Sequence, residues 1–312
     1  MSGSSNPTSS PDPTIDRPQD FDQFWQETRF DLNNYPETFE QTLSDQQGRV
    51  SHYAIEFNSW QNTTIRGYLL KWQDSQPRPL IVYTHGYNGQ CNTQWQWAHS
   101  GFNVFGFDTR GFGRSIAPVH HDGWILTNIE SPLNSILRGA VCDYVRAGEI
   151  AKALTESSTN RTLFYGFSFG GAMALMAEAL GQAADMVAAG VPTFGWMEGR
   201  RKLVKLGSGE EINHYIHTHP DREATIMRTL AYFDTVNFAP LIKKPTLIGI
   251  GKKDVIVPQK TVRAICSRLR CPFVIREFPY SHSNQPEEQL WQNFDRDWRQ
   301  MALTGQLPVI TQ

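Results

Sequence analysis

The 312-residue chain has no surplus of either charge: 29 basic side chains stand against 31 acidic ones, a formal net charge of −2. Without a basic stripe to neutralise phosphates, nucleic acid and an anionic membrane are poor partners, and a small, near-neutral molecule fits better. Long apolar runs are missing too. No segment approaches the roughly 20 residues needed to cross a bilayer. The opening "MSGSSNPTSSPDPTIDRPQD" has neither the basic nor the apolar stretch of a secretory signal. A disordered leader over residues 1–20 and a cytoplasmic protein are expected. Cysteine is scarce: Cys91, Cys142, Cys266 and Cys271 show no CxxC or zinc-ligand spacing, so free thiols are expected in place of disulfides. No internal repeat is present.

What the sequence does have is punctuated apolar segments. In "FDQFWQETRFDLNNYP", Phe21, Phe24, Trp25, Thr28 and Leu32 recur at helical spacing up to Pro36. "SHYAIEF" and "TTIRGYLLKW" flank a turn-rich stretch and read as a hairpin. The runs "PLIVYTHG", "FNVFGFD", "RTLFYGF", "DMVAAGV", "PTLIGIG" and "FVIREF" follow, mostly separated by helical or loop segments. Such runs predict buried strands of a mainly parallel sheet flanked by helices, an α/β class. After the leader, residues 21–312 are expected to form a single domain. A charged stretch of poor strand character, about 194–241, predicts a helical insertion over the sheet's carboxyl edge, where open α/β sheets bind ligands.

At "FYGFSFGGA" a strand ends on Ser168 and a small-residue helix begins. G-F-S-F-G is the pattern of a nucleophile elbow: serine on a strained strand-to-helix turn, glycines where backbones pass closely. The helix N-terminus then faces developing negative charge, with the Phe169 N–H as first oxyanion donor. A hydroxyl needs a base, and the base an orienting acid. In the α/β-hydrolase order these follow the serine: Asp254 in "GKKDVIVP", past one strand, and His282 in "YSHSNQ", past the next, the only histidine after Asp254. The alternatives are a turn cap for Asp254 and an exposed loop histidine for His282. The loop "THGYNGQ" offers the Tyr87 N–H as second donor, with His85 and Gly86 shaping it.

On these residues the chain resembles the acetyl xylan esterase and cephalosporin C deacetylase family of carbohydrate esterases (family 7), α/β-hydrolases. "DFDQFW", "HGYNG", "DTRGFGRS", "GFSFGG" and "GKKDVIVP" recur in order, over about Phe21 to Leu303. The resemblance implies Ser168 as nucleophile, Asp254 as acid, His282 as base, and Tyr87 and Phe169 as oxyanion donors. It also implies deacetylation of small carbohydrates and of cephalosporin C without a metal or other cofactor, and assembly into hexamers, with the N-terminal helix and hairpin docking on a neighbouring subunit. Three positions depart from the family's usual RGQG, SQGG and HE: Phe112, Phe169 and Ser283. The two phenylalanines favour a more apolar pocket, with Phe112 and Trp196 as candidate lining residues.

Other constellations carry less. His120–His121 and the group His214, His217 and His219 lack a convergent carboxylate in sequence, so no metal is expected. Trp95, Trp97 and Trp124 are read mainly as core. "RGFGRS" lacks the lysine of a phosphate-binding loop, and Arg110 is expected to brace loops instead. The function expected is a serine carboxylic ester hydrolase acting on short-chain, chiefly acetyl, esters. The alternatives are cleavage of longer esters or amides, and a catalytically silent binding protein.

Overall fold

Strands whose two faces both meet helices can be apolar throughout, and here such strands hold the middle of the molecule. The computed structural model describes residues 16–279 and 288–310. An antiparallel meander of β1 (Phe39–Gln47), β2 (Val50–Asn58) and β3 (Thr64–Trp72) leads into β4 (Arg78–Thr84), β5 (Asn103–Asp108), β6 (Thr159–Phe167), β7 (Met186–Gly190), β8 (Thr246–Gly251) and β9 (Phe273–Phe278). One nine-stranded sheet results, ordered β1-β2-β3-β5-β4-β6-β7-β8-β9. From β5 to β9 every neighbouring pair is parallel. All residues of β5, β7 and β8 are buried. The carboxyl ends of β4, β6, β8 and β9 therefore share one edge.

The helices are α1 (Phe21–Asn34), α2 (Trp95–His99), α3 (Ile136–Thr155), α4 (Phe169–Gly181), α5 (Met197–Leu203), α6 (Ser208–Thr218), α7 (Glu223–Ala231), α8 (Thr235–Phe238), α9 (Gln259–Cys266) and α10 (Glu288–Thr304). The buried face of α1 consists of Phe21, Phe24, Trp25, Thr28 and Leu32, the five residues picked out by spacing. It packs within its own chain: Phe21 and Trp25 meet Phe238 edge-on, and the Trp25 Nε1–H donates to the Tyr232 carbonyl at 3.1 Å. Of the expected leader, 1–20, residues 16–20 are among those described. The Asp16 carbonyl accepts from Asn237 Nδ2 at 3.3 Å and Asp20 from the Tyr232 hydroxyl at 2.5 Å, tying residues 16–20 to the helices below.

The hairpin of β2 and β3 forms as expected, but β1 was not foreseen. All nine of its residues are exposed, so burial left no alternation to read. Between β7 and β8 the chain forms α5 to α8, the expected insertion. Asp234 fastens its two ends, accepting the Trp196 and Met197 N–H groups at the start of α5 and the Val236 N–H at the start of α8. Burial pushes its carboxyl up to about 6 despite these bonds. The four cysteines are free thiols, three of them buried. Among the described residues, no helix is long and apolar enough to cross a membrane.

Glu178, near the end of α4, is fully buried, and neither carboxylate oxygen has a hydrogen-bond partner. Burial raises its carboxyl to about 7; Lys244 and the nearby Ala184 N–H, outside bonding geometry, offset this only in part. The unfolded chain ionises near 4.5 and the folded one near 7, so this group's favourable contribution is full below pH 4.5 and is lost as pH rises through 7. Glu178→Gln should therefore gain stability relative to wild type across that window. A plateau of about 3 kcal/mol is expected above pH 7, at 1.36 kcal/mol per pKa unit. Denaturant titrations at pH 4.5 and 8 check this; a pH-independent difference would contradict it.

Candidate active site

Ser168 stands between β6 and α4 with φ 53° and ψ −110°, a backbone conformation that side chains rarely adopt. Neighbouring strand ends hold it there. Its N–H donates to the Gly190 carbonyl at 2.8 Å, and its carbonyl accepts from Ala172 and Thr193, each at 3.1 Å. Two positions either side, glycine is required by contact: a Cβ on Gly166 would strike the backbone of Gly170 and Gly171, and one on Gly170 would lie 2.5 Å from the Thr84 carbonyl oxygen. Ser168 itself is half-buried.

Asp254 lies three residues past β8, buried, with Oδ1 accepting the Ile256 and Val257 N–H groups at 2.8 and 2.7 Å. Those bonds make the turn-cap role real, and they do not compete with an orienting role, since a carboxylate has further acceptor sites. His282, four residues past the end of β9, lies outside the described residues.

The loop after β4 is fastened at several points. His85 is buried; its Nε2 accepts the Thr109 N–H at 3.2 Å, which leaves Nδ1 to donate to the Gly86 carbonyl at 2.7 Å. Burial holds this imidazole below its ordinary value, so both ring nitrogens are committed to shaping the loop. A tight turn brings the Gly89 N–H to the Gly86 carbonyl at 3.0 Å. Further along, Asp108 accepts the Cys91 N–H at 2.7 Å and the Arg114 Nε–H at 2.7 Å. Burial raises that carboxyl, but these bonds and a third from the Arg114 N–H carry it below the usual range.

Tyr87, Phe112 and Phe169 come together, joined by Trp124, which the sequence had assigned mainly to the core. Phe112 stacks on Trp124 at 4.9 Å between centroids, and Tyr87 meets Phe112, Trp124 and Phe169 at 5.6–6.1 Å. The Phe169 side chain is fully buried and Phe112 is 9% exposed. These rings thus form a packed wall behind the loop, which is how phenylalanine is tolerated at both departures from the family pattern. Arg110 braces the wall from outside, as expected. It pairs with buried Asp143 through Nε and Nη2 at 2.9 and 2.7 Å, and its carbonyl accepts the Trp124 Nε1–H at 2.8 Å.

Trp196 lines a cavity of ≈ 330 Å³ with Met197, Arg201, Met227 and Asp234; Ser168, Asp254, Tyr87 and Phe169 are not among its lining residues. His120, His121 and Asp122 approach within 4.8 Å of one another, though His121 and Asp122 are exposed. Sequence reasoning missed Glu211 of α6, whose Oε2 accepts the Tyr87 hydroxyl at 2.5 Å. Nothing in "GSGEEIN" marks one of its two glutamates as inward-facing.

The sequence matches the family profile described as acetyl xylan esterase (AXE1) over residues 12–297. Acetyl esterase Axe7A of Xylanibacter ruminicola is 21% identical over 276 residues, 83% of this chain. The chain spans 62% of that curated relative's length. Among solved structures, the acetyl xylan esterase from Paenibacillus sp. R4 superposes with a TM-score of 0.81 at 24% identity, covering 91% of this chain and 96% of that one. Acetyl xylan esterase 1 from Thermoanaerobacterium sp. JW/SL YS485 gives 0.81 at 23% identity, covering 91% and 95%. These likenesses establish the shared α/β-hydrolase fold.

Proposed function

This chain belongs to the acetyl xylan esterase family, and on that premise we propose that it is a serine esterase cleaving short-chain, chiefly acetyl, esters of small molecules such as acetylated carbohydrates. The observation that carries the reading is the strained Ser168 at the head of α4, on the same sheet edge as Asp254. Ser168 Oγ attacks the acyl carbonyl while His282 takes its proton. Asp254 holds the imidazole tautomer and stabilises the imidazolium. The Tyr87 and Phe169 N–H groups receive the oxyanion of the tetrahedral intermediate; as it collapses, the His282 imidazolium returns its proton to the leaving alcohol, which leaves the acyl-enzyme behind, and water activated by His282 then releases the acid. No metal or cofactor has a part in this scheme.

The packed phenylalanines leave short acyl groups as the better fit, since a wall already filled by Trp124 and Phe112 offers little room for a long chain. Turnover of p-nitrophenyl esters from acetate to octanoate is expected to peak at acetate and to fall at least tenfold by octanoate. A maximum at hexanoate or longer would overturn the short-chain reading. Labelling by a fluorophosphonate probe should also occur, and its failure would favour a silent binding protein.

Free buried thiols fit a reducing compartment such as the cytoplasm. A homo-hexamer is proposed from the family resemblance. The fully exposed β1 leaves an unpaired strand edge for such contacts. Light scattering at the monomer mass would exclude the hexamer.

A further inference from the structure

Tyr87 and Glu211 are 124 positions apart in the chain, yet the tyrosine hydroxyl donates to Glu211 Oε2 at 2.5 Å. The same hydroxyl oxygen accepts the Ile125 N–H at 3.0 Å. One phenol thus ties together three segments: the loop after β4, the turn at Trp124–Leu126, and helix α6 of the insertion. The ring is boxed by Phe112, Trp124 and Phe169, so a fixed hydroxyl fixes the ring, and the ring fixes the backbone from which it springs. Burial raises the Glu211 carboxyl, and the Tyr87 bond and buried Arg200 oppose that rise.

The other side of the site is held by the same insertion. Arg200 of α5 donates to Ser208 Oγ, at the first residue of α6, at 2.9 Å, and its guanidinium lies over the Phe194 ring at 5.4 Å. Phe194 meets Phe169 edge-on at 6.0 Å. The α5–α6 pair therefore bonds Tyr87 directly through Glu211 and reaches Phe169 through Phe194, the two residues whose backbone N–H groups are assigned to the oxyanion. A cover that only shielded the site from water would need neither contact.

We propose that Glu211 is a positioning residue for the reaction: through the Tyr87 hydroxyl it sets the loop that presents the Tyr87 N–H to the oxyanion. This rests on the esterase reading above. The insertion is then part of the oxyanion apparatus. An oxyanion donor acts on the transition state more than on bound substrate, so its loosening should appear in kcat.

The test is steady-state kinetics on p-nitrophenyl acetate, with melting temperatures, for wild type, E211A, E211Q, Y87F and the E211A/Y87F double variant. E211A is expected to lower kcat by about 10–100-fold, up to the low end of losing an oxyanion donor, with KM within about threefold. E211Q, whose amide oxygen still accepts the phenol, should recover most of that loss. Y87F, which keeps the ring, should resemble E211A, and the double variant should be no worse than the poorer single one, as residues on one path are non-additive. Loss in KM alone, a Gln variant as poor as Ala, or fully additive losses would each overturn the proposal. If E211A does not fold, Y87F decides: kcat within threefold of wild type overturns it. Turnover that survives Ser168→Ala would sink the esterase reading itself, an outcome read separately from these ratios.

Discussion

Ser168→Ala is expected to lower kcat on p-nitrophenyl acetate by about 10⁴–10⁶, the range lost when an activated serine is removed from a triad, while the protein melts within a few degrees of wild type. Alanine keeps the Cβ, so the strained backbone at φ 53° and ψ −110° is retained. Ser168→Gly should be equally inactive yet more stable than Ser168→Ala. Glycine relieves a conformation that costs on the order of 1–3 kcal/mol elsewhere, and the melting temperature should rise by about 2–4 °C per kcal/mol recovered. The pair of variants separates chemistry from strain. An alanine variant retaining more than a hundredth of wild-type kcat would mean another group attacks the ester. A glycine variant no more stable than alanine would mean the turn at Ser168 is relaxed in solution.

The part of this architecture that spacing dictates was legible in sequence. Phe21, Phe24, Trp25, Thr28 and Leu32 give the buried face of α1 because a docked helix must repeat near 3.6 residues. The apolar runs give the central strands because both faces are covered. β1 was invisible for the converse reason: "FEQTLSDQQ" buries nothing, and its strand conformation is imposed by pairing with β2. Around the site, the motif residues could be ordered along the chain because strand ends must carry them. Contacts between distant segments could not. The Glu211–Tyr87 bond joins positions 124 apart. Trp196 drew attention for its place after a strand, and its left-handed backbone, φ 51°, and the cavity it lines with Met227 and Arg201 could not be read from spacing. Phe112 and Phe169 suggested apolar lining from sequence, but that both rings pack on Trp124 was not readable there.

Gly166→Ala and Gly170→Ala are expected to be among the most damaging small substitutions near Ser168, each costing at least about 3 kcal/mol or preventing folding, beyond the 0.5–3 kcal/mol of an ordinary mutation. The obstruction at both is backbone. A Cβ on Gly166 would sit 2.5 Å from the Gly171 nitrogen and closer still to the Gly170 carbonyl group, so α4 would have to lift off β6. A Cβ on Gly170 would sit 2.5 and 2.9 Å from the Thr84 and His85 carbonyl oxygens. Those oxygens belong to the end of β4 that launches the Tyr87 loop, so any folded Gly170→Ala protein should also lose kcat. Gly171→Ala is the control. Its Cβ would meet the Gly166 and Gly190 carbonyl oxygens at 3.1 and 3.2 Å, a few tenths of an ångström too close. Alanine's better helix propensity, worth about 1 kcal/mol over glycine, offsets much of that. Denaturant unfolding of the three variants should rank Gly171→Ala near wild type and the other two far below it. Equal losses at all three would mean that α4 can slide along the sheet, and that a rigid seat for Ser168 is not what these glycines provide.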